Sequence, residues 1–336
     1  MRPGKLPTKM LADLLARLPM DDPRVIVGPR VGEDAAVIDF GDHLLVAKTD
    51  PVTFATDLIG WYTVNVNAND IATMGAEPKW FMATLLLPET ADRSQIEAIF
   101  GQLADACRGL GVTAVGGHTE VTIGIDRPIM IGCMMGEVEK GKLLTSAGAG
   151  AGDAIILSSP IAIEGTALLA REAAGALRST GLPEESIARA RDLLFDPGIS
   201  VVTAARAAIE SGGVTALHDP TEGGLATGLL ELALASEVGL EISRDDIPML
   251  DLTRAVCAAL ELDPLGLIAS GSLLIAAKHD RAADIVQTLR AQGKDAAIIG
   301  RTMPKQAGVM LVAGGRRLPL PQFDRDEIAR YFGEHA

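Results

Sequence analysis

The sequence predicts an α/β protein built as two domains, and three observations predict it. Its 336 residues are enough for two domains of roughly 150 residues each. Short apolar runs of strand type alternate with helix-type spacing along the whole length. One shift to small residues, Thr145-Ser-Ala-Gly-Ala-Gly-Ala-Gly-Asp153, breaks that alternation near the middle. We therefore expect domains over 1–150 and 151–336, joined through a flexible glycine-rich segment.

The elements follow in order. The first twenty residues spread Arg2, Lys5, Lys9, Asp13 and Arg17 through an amphipathic helix, unlike the clustered bases and unbroken apolar stretch of a signal peptide. Strands at 36–40 and 44–49 flank Gly41-Asp42, a hairpin signal. Residues 60–74 read as a helix closed by Gly75, yet the alternation Val64-Asn-Val66-Asn-Ala68-Asn69 also suits a strand. Further strands are expected at 80–87, 112–115 and 129–138. Between the first two of these, Ile96, Ile99, Phe100, Leu103 and Leu110 recur at helical spacing, with Ser94 and Glu97 as a capping pair and Gly109 and Gly111 as the stop. In the second half Asp153-Ala-Ile-Ile-Leu157 opens a strand. Others are expected at 214–217, 272–277 and 296–299, with helices near 164–176, 200–210, 223–236 and 281–291.

Composition limits the function. Forty-four acids against thirty bases leave a formal charge of −14, which argues against a nucleic-acid binder. An anionic small molecule remains compatible if a metal ion screens its charge. Hydrophobic residues make up 48% and aromatics only 3%, so the core is built from Ala, Val, Leu, Ile and Met. Cys107, Cys133 and Cys257 form no C-x-x-C pair; they read as packing residues in a reducing cytoplasm. No run reaches the roughly 18 apolar residues a membrane span needs. The P-loop, G-x-G-x-x-G, G-x-S-x-G and H-E-x-x-H motifs are all missing.

What stands out is a series of carboxylates placed at expected strand ends beside glycine or asparagine. They are Gly32-Glu33-Asp34, Thr49-Asp50-Pro51, Asn67-Ala-Asn69-Asp70 and Gly116-Gly117-His118-Thr119-Glu120. Each alone reads as a turn acid or helix cap. Converging on one sheet face, such acids supply the hard oxygen ligands that hold Mg²⁺ beside phosphate. Three asparagines and an aspartate closing an otherwise apolar segment suit a ligand site better than a solvated face, because Asn and Asp are poor helix formers. Gly116-Gly117 would let backbone amides approach a phosphate. Further on, His218-Asp219-Pro220-Thr221-Glu222-Gly223-Gly224 joins a strand to an apolar helix, with Thr221 as the expected N-cap and free amides at the helix start as an anion site. Asp219 could add a metal ligand or accept a proton.

These segments, in this order from about Gly32 to Ser272, resemble the aminoimidazole ribonucleotide (AIR) synthetase superfamily. Asn69-Asp70-Ile-Ala-Thr-Met-Gly75-Ala is the most specific piece, and Asp219-Pro-Thr-Glu-Gly-Gly-Leu-Ala with Ala269-Ser-Gly-Ser-Leu-Leu274 is most similar to the hydrogenase-maturation (HypE) branch and its uncharacterised relatives. The resemblance implies a PurM-like fold of two α/β domains and a homodimer whose N-terminal sheets close into a barrel, with an α/β sandwich as the C-terminal domain. It implies ATP bound with Mg²⁺. Glu33, Asp34, Asp50 and Asp70 would be metal-side residues, and Asn69, Asp70, Gly116, Gly117, Thr119, Glu120, Gly223 and Gly224 would lie along the nucleotide. His118 and Asp219 would carry catalysis. The implied chemistry is phosphorylation or activation of a small-molecule oxygen.

The chain departs from the pattern in four places. Glu33 stands where the family has a first Asp. His118 replaces the Asp of the HypE Gly-Asp-Thr, leaving Glu120 to take over that charge. Glu222 replaces an Arg. The HypE branch carries its carbamoyl group on a cysteine of a flexible tail, whereas this sequence runs Tyr331-Phe-Gly-Glu-His-Ala336, a segment expected to fray, and its last cysteine is Cys257. The leading expectation is thus an ATP-dependent enzyme acting on a different, unidentified acceptor. Carbamoyl dehydration of the HypE kind and a nucleotide-binding module without turnover are the alternatives.

Overall fold

The computed structural model describes residues 6, 8–30, 33–52, 55 and 57–334. Arg2, Lys5, Gly32, His335 and Ala336, all named above, lie outside the described residues. In chain order the first half runs α1 (Thr8–Leu15), β1 (Val25–Val27), β2 (Ala36–Asp39), β3 (His43–Val52), α2 (Ile59–Thr73), β4 (Glu77–Leu87), α3 (Arg93–Leu110), β5 (Thr113–Val121) and β6 (Ile129–Glu139). The second half runs β7 (Ala154–Ser158), α4 (Ile163–Glu172), α5 (Ala174–Ser179), α6 (Glu184–Asp192), α7 (Val202–Ser211), β8 (Val214–His218), α8 (Gly224–Ala235), β9 (Val238–Ser243), α9 (Asp251–Ala259), β10 (Leu273–Ala277), α10 (Ala282–Ala291), β11 (Ala296–Pro304), β12 (Val309–Ala313), β13 (Arg316–Pro319) and α11 (Glu327–Glu334). Two compact units result. One holds Asp34–Leu143 with Pro19–Pro29; the other holds Leu144–Ala336 with the segment bearing α1 and with Arg30–Glu33.

The first unit is a six-stranded sheet in the order β1-β2-β3-β6-β4-β5, antiparallel except for the parallel β4–β5 pair. The expected hairpin forms, with Ala36 opposite Ala47 and Asp39 opposite Leu44. Residues 60–74 resolve as helix α2, buried almost all round. Several of its polar residues are kept in the core by bonding to its own carbonyls. Thr63 donates to Ile59, Asn65 to Trp61 and Asn67 to Thr63, each four residues back. The sheet also makes room, since a Cβ on Gly132 of β6 would meet the Asn67 amide at 2.5 Å. Helix α3 begins two residues earlier than Ser94 suggests. Asp92 is its cap, accepting from the Gln95 amide at 2.8 Å, while the Ser94 hydroxyl also donates to Asp92. Strand β5 runs through to Val121, so Gly116-Gly117 sits inside a strand and not at its end.

The second unit is a seven-stranded sheet ordered β13-β12-β9-β11-β7-β10-β8, with β7 and β10 buried along their whole lengths. The glycine-rich stretch before it is not a flexible connector. Ser146 and Ala149 are buried, a Cβ on Gly148 would lie 2.0 Å from the Thr215 carbonyl, and the Ser236 hydroxyl donates to the Ser146 carbonyl. Asp153 completes the staple by accepting from the Gly150 amide, the Thr215 hydroxyl and Lys278 at 2.8–2.9 Å. Small residues are used here because the chain must pass close to β8. The C-terminal segment is likewise held. Ile328 and Tyr331 are buried, and Glu327 pairs with Arg330 at 2.8 Å. No helix among the described residues is long and apolar enough to cross a membrane.

Candidate functional site

Strand periodicity sets the first part of the site. In β3, Leu44, Val46, Lys48 and Asp50 share one face, and Leu44 and Val46 are buried. Helix α2 lies against β3, so the polar end of that face meets the polar end of the helix. Lys48 Nζ lies 3.2 Å from Asp70 Oδ1 and 3.6 Å from Asp50 Oδ2. The Asn67 side-chain amide donates to the Asp50 carbonyl at 3.3 Å, tying helix to strand. Asn67 Oδ1 is left buried without a hydrogen-bond partner among the described residues.

Asp34, just ahead of β2, offers a carboxylate oxygen within 4.8 Å of one from Asp70. One divalent ion can bridge oxygens that far apart, because hard cations sit about 2.0–2.6 Å from each ligand. The donor set therefore fits a Mg²⁺-type ion, with both ligands carboxylates. Asp50 reaches Asp70 through Lys48. Glu33 is differently engaged: its carboxylate accepts from Arg30 at 2.7 Å and its side chain is nearly enclosed.

The β5 residues form a second group. All nine residues of this edge strand are exposed. His118 and Glu120, two apart on one face, pair at 3.1 Å. Thr119 lies on the opposite face with Gly117. A Cβ on Gly117 would meet the Ala83 carbonyl at 2.2 Å, so its missing side chain is explained by the close approach of β4. Gly116 has open space around it.

In the second unit Asp219 follows β8 and is buried at 3% exposure. The start of α8 differs from the expected Thr221 cap. Gly223 takes the capping position at φ +82°, and its amide donates to Asp326 Oδ2 at 2.6 Å. That carboxylate also accepts from the Ile328 amide at 2.7 Å, so an acid about a hundred residues away fills the helix start. A Cβ on Gly224 would lie 2.5 Å from the Leu265 carbonyl. The Gly223 amide is thus already taken, and Gly224 serves close packing, which corrects the expectation of a phosphate cradle there. Burial raises Asp326 to about 6, against backbone amides that lower it. Glu164, in the first turn of α4, is pushed to about 8 by burial and by the charges of Glu222 and Asp326, despite Ser270 beside it. Burial also raises all three thiols, Cys257 to about 12.

Sequence reasoning missed Lys48, Asp326 and Glu164. Lys48 had a legible signal, since period-two alternation from Leu44 puts it on the buried face beside Asp50. Asp326 and Glu164 had none, because their burial depends on contacts far away in sequence.

A mixed α/β protein with this buried acid–asparagine helix belongs to a recognisable class, the PurM-like fold. The N-terminal domain of the AIR synthase related proteins matches residues 32–138 and their C-terminal domain matches residues 150–312. The chain belongs to that family. It is 30% identical over 329 residues to a putative hydrogenase expression/formation protein of Methanocaldococcus jannaschii, covering 95% of this chain and 94% of the relative. With the carbamoyl dehydratase HypE of Azotobacter vinelandii it shares 33% identity over 277 residues, 80% of this chain and 77% of that one. The crystal structure of the hydrogenase maturation protein HypE in complex with ATP has the same fold, with a TM-score of 0.73 at 24% identity over 92% of each chain.

Proposed function

We propose that this chain is a Mg²⁺- and ATP-dependent enzyme that phosphorylates or otherwise activates an oxygen of a small-molecule acceptor. The observation that carries the reading is the buried α2 helix. It holds Asp70 within metal-bridging distance of Asp34 and beside a lysine. Mg²⁺ held by these carboxylates would neutralise phosphate charge, which reconciles a −14 chain with a polyanionic ligand. Asn69, at no exposure in the same helix, is proposed to line the nucleotide. Gly116, Thr119 and Glu120 are proposed to do so from β5, with His118 beside them. Asp219 is proposed as the acid that accepts the acceptor's proton or adds a metal ligand. HypE with ATP supports the nucleotide by analogy.

Identity to carbamoyl dehydratases favours their reaction as the second reading. Against it, Cys107 and Cys257 are buried, Cys133 is half-buried in β6, and burial disfavours the thiolate of each. The test is phosphate release from ATP across a panel of amides, carboxylates and phosphate esters. Stimulation by one acceptor class is expected. ATP binding with no phosphate release for any member of the panel would favour a nucleotide-binding module instead.

A further inference from the structure

Asp70 faces two claims on its charge. A divalent ion shared with Asp34 would need it, yet Lys48 Nζ already stands 3.2 Å from Asp70 Oδ1 and 3.6 Å from Asp50 Oδ2. The lysine is well enclosed, with its side chain 22% exposed and Asp70 at 7%. Removing one partner from so enclosed a pair strands the other charge, which costs far more than breaking an exposed pair. A metal ion and the ammonium would therefore compete for this carboxylate in the nucleotide-free protein.

We propose that Lys48 is an internal counter-ion that makes metal capture conditional on polyphosphate: it holds Asp70 in the free protein and moves to the phosphate oxygens when a nucleoside triphosphate arrives. This deepens the ATP reading and rests on it. Phosphate oxygens accept from the Lys48 ammonium in charge-assisted hydrogen bonds, so the lysine exchanges one anion for another and is not left bare. Its flexible four-carbon stem and point charge allow that exchange, where the planar fork of an arginine would grip the carboxylate more rigidly. Metal and nucleotide then bind with positive coupling, and each raises the affinity of the other by the same factor. The net-acidic chain gains a site that stays closed to free divalent ions.

The experiment counts free Mn²⁺ by electron paramagnetic resonance during titration of the full-length protein, first without nucleotide. Lys48→Met, which keeps the apolar stem and removes the charge, is expected to bind Mn²⁺ at least about fivefold more tightly than the wild type. Lys48→Arg is expected to bind it no more tightly than the wild type. With a non-hydrolysable ATP analogue added, the wild type is expected to gain Mn²⁺ affinity, and Lys48→Met to lose most of that gain. Native circular dichroism and melting are checked for each variant, and Lys48→Gln replaces Lys48→Met if the latter does not fold. Unchanged or weaker Mn²⁺ binding in the folded charge-free variant would overturn the proposal and leave Lys48 a structural ion pair. The nucleotide-free arm reads this directly, whereas failure of the wild type to bind the analogue at all would instead contradict the ATP reading.

Discussion

Asp70 is 5% exposed and carries a charge into the interior of a sheet-and-helix layer. Such a charge persists only when compensated, and Lys48 supplies the compensation at 3.2 Å. Glu164 shows the other outcome: a buried acid pushed to about 8 by burial and by neighbouring carboxylates is held largely protonated at neutral pH. Between the unfolded value near 4.5 and the folded value near 8, the native state binds more protons than the unfolded chain, so stability falls as pH rises through that window. Glu164→Gln removes the titration. Its unfolding free energy is expected to gain on that of the wild type as pH goes from 5 to 9, by a few kcal/mol at ~1.4 kcal/mol per pKa unit. A constant difference across that range would refute the assignment. The Asp70 segment was legible from residue types alone, because asparagines and an aspartate inside an apolar helix require a reason. Glu164 was not, since Ile163-Glu164-Gly165 reads like any helix start until Leu267, Ser270 and the charges of Glu222 and Asp326 come near it.

At the scale of elements, helix α2 depends on β6 having no side chain where the two touch. Gly132→Ala is expected to cost ~1–3 kcal/mol, because the new Cβ would meet the Asn67 amide, the Thr63 methyl and the Phe81 ring within 2.9 Å. Since Asn67 ties α2 to Asp50, nucleotide affinity should weaken along with the melting temperature. A variant that melts lower but binds nucleotide normally would separate α2 packing from the site. Most strands and helices were readable from apolar spacing. The errors cluster where capping came from elsewhere. Thr221 looked like a cap, but Asp326 provides one; the glycine stretch at 148–152 looked loose, but it packs on Thr215 and Ser236. Local sequence carries no record of a partner a hundred residues away.

For the whole molecule, the long exposed edge of β5 is the main unsettled surface of the first unit. Val115, Val121 and Ile123 lie at or beyond it, each at least half exposed. Unpaired edges of this length invite pairing with another chain. We expect a homodimer through the first unit, and light scattering at micromolar concentration should give twice 35.0 kDa. A 35.0 kDa particle would contradict it. Charged substitutions at Val115 and Val121 should shift the dimer toward monomer without unfolding the second unit. The thiols offer a further test. With Cys257 raised to about 12 and the other two also raised, incubation with ATP and a carbamoyl-donating maturation partner should add no mass to the protein. A carbamoyl or cyano adduct with turnover would restore the dehydratase reading.

Asp70 is proposed to hold the metal through which ATP binds. Calorimetric titration of the intact protein with a non-hydrolysable ATP analogue tests it most directly, with and without Mg²⁺, in the wild type and in Asp70→Asn. Binding should require Mg²⁺, and the substitution should weaken it at least tenfold, about 1.4 kcal/mol. Equal affinity with and without Mg²⁺, or an unchanged Mg²⁺-dependent affinity in Asp70→Asn, would contradict the account.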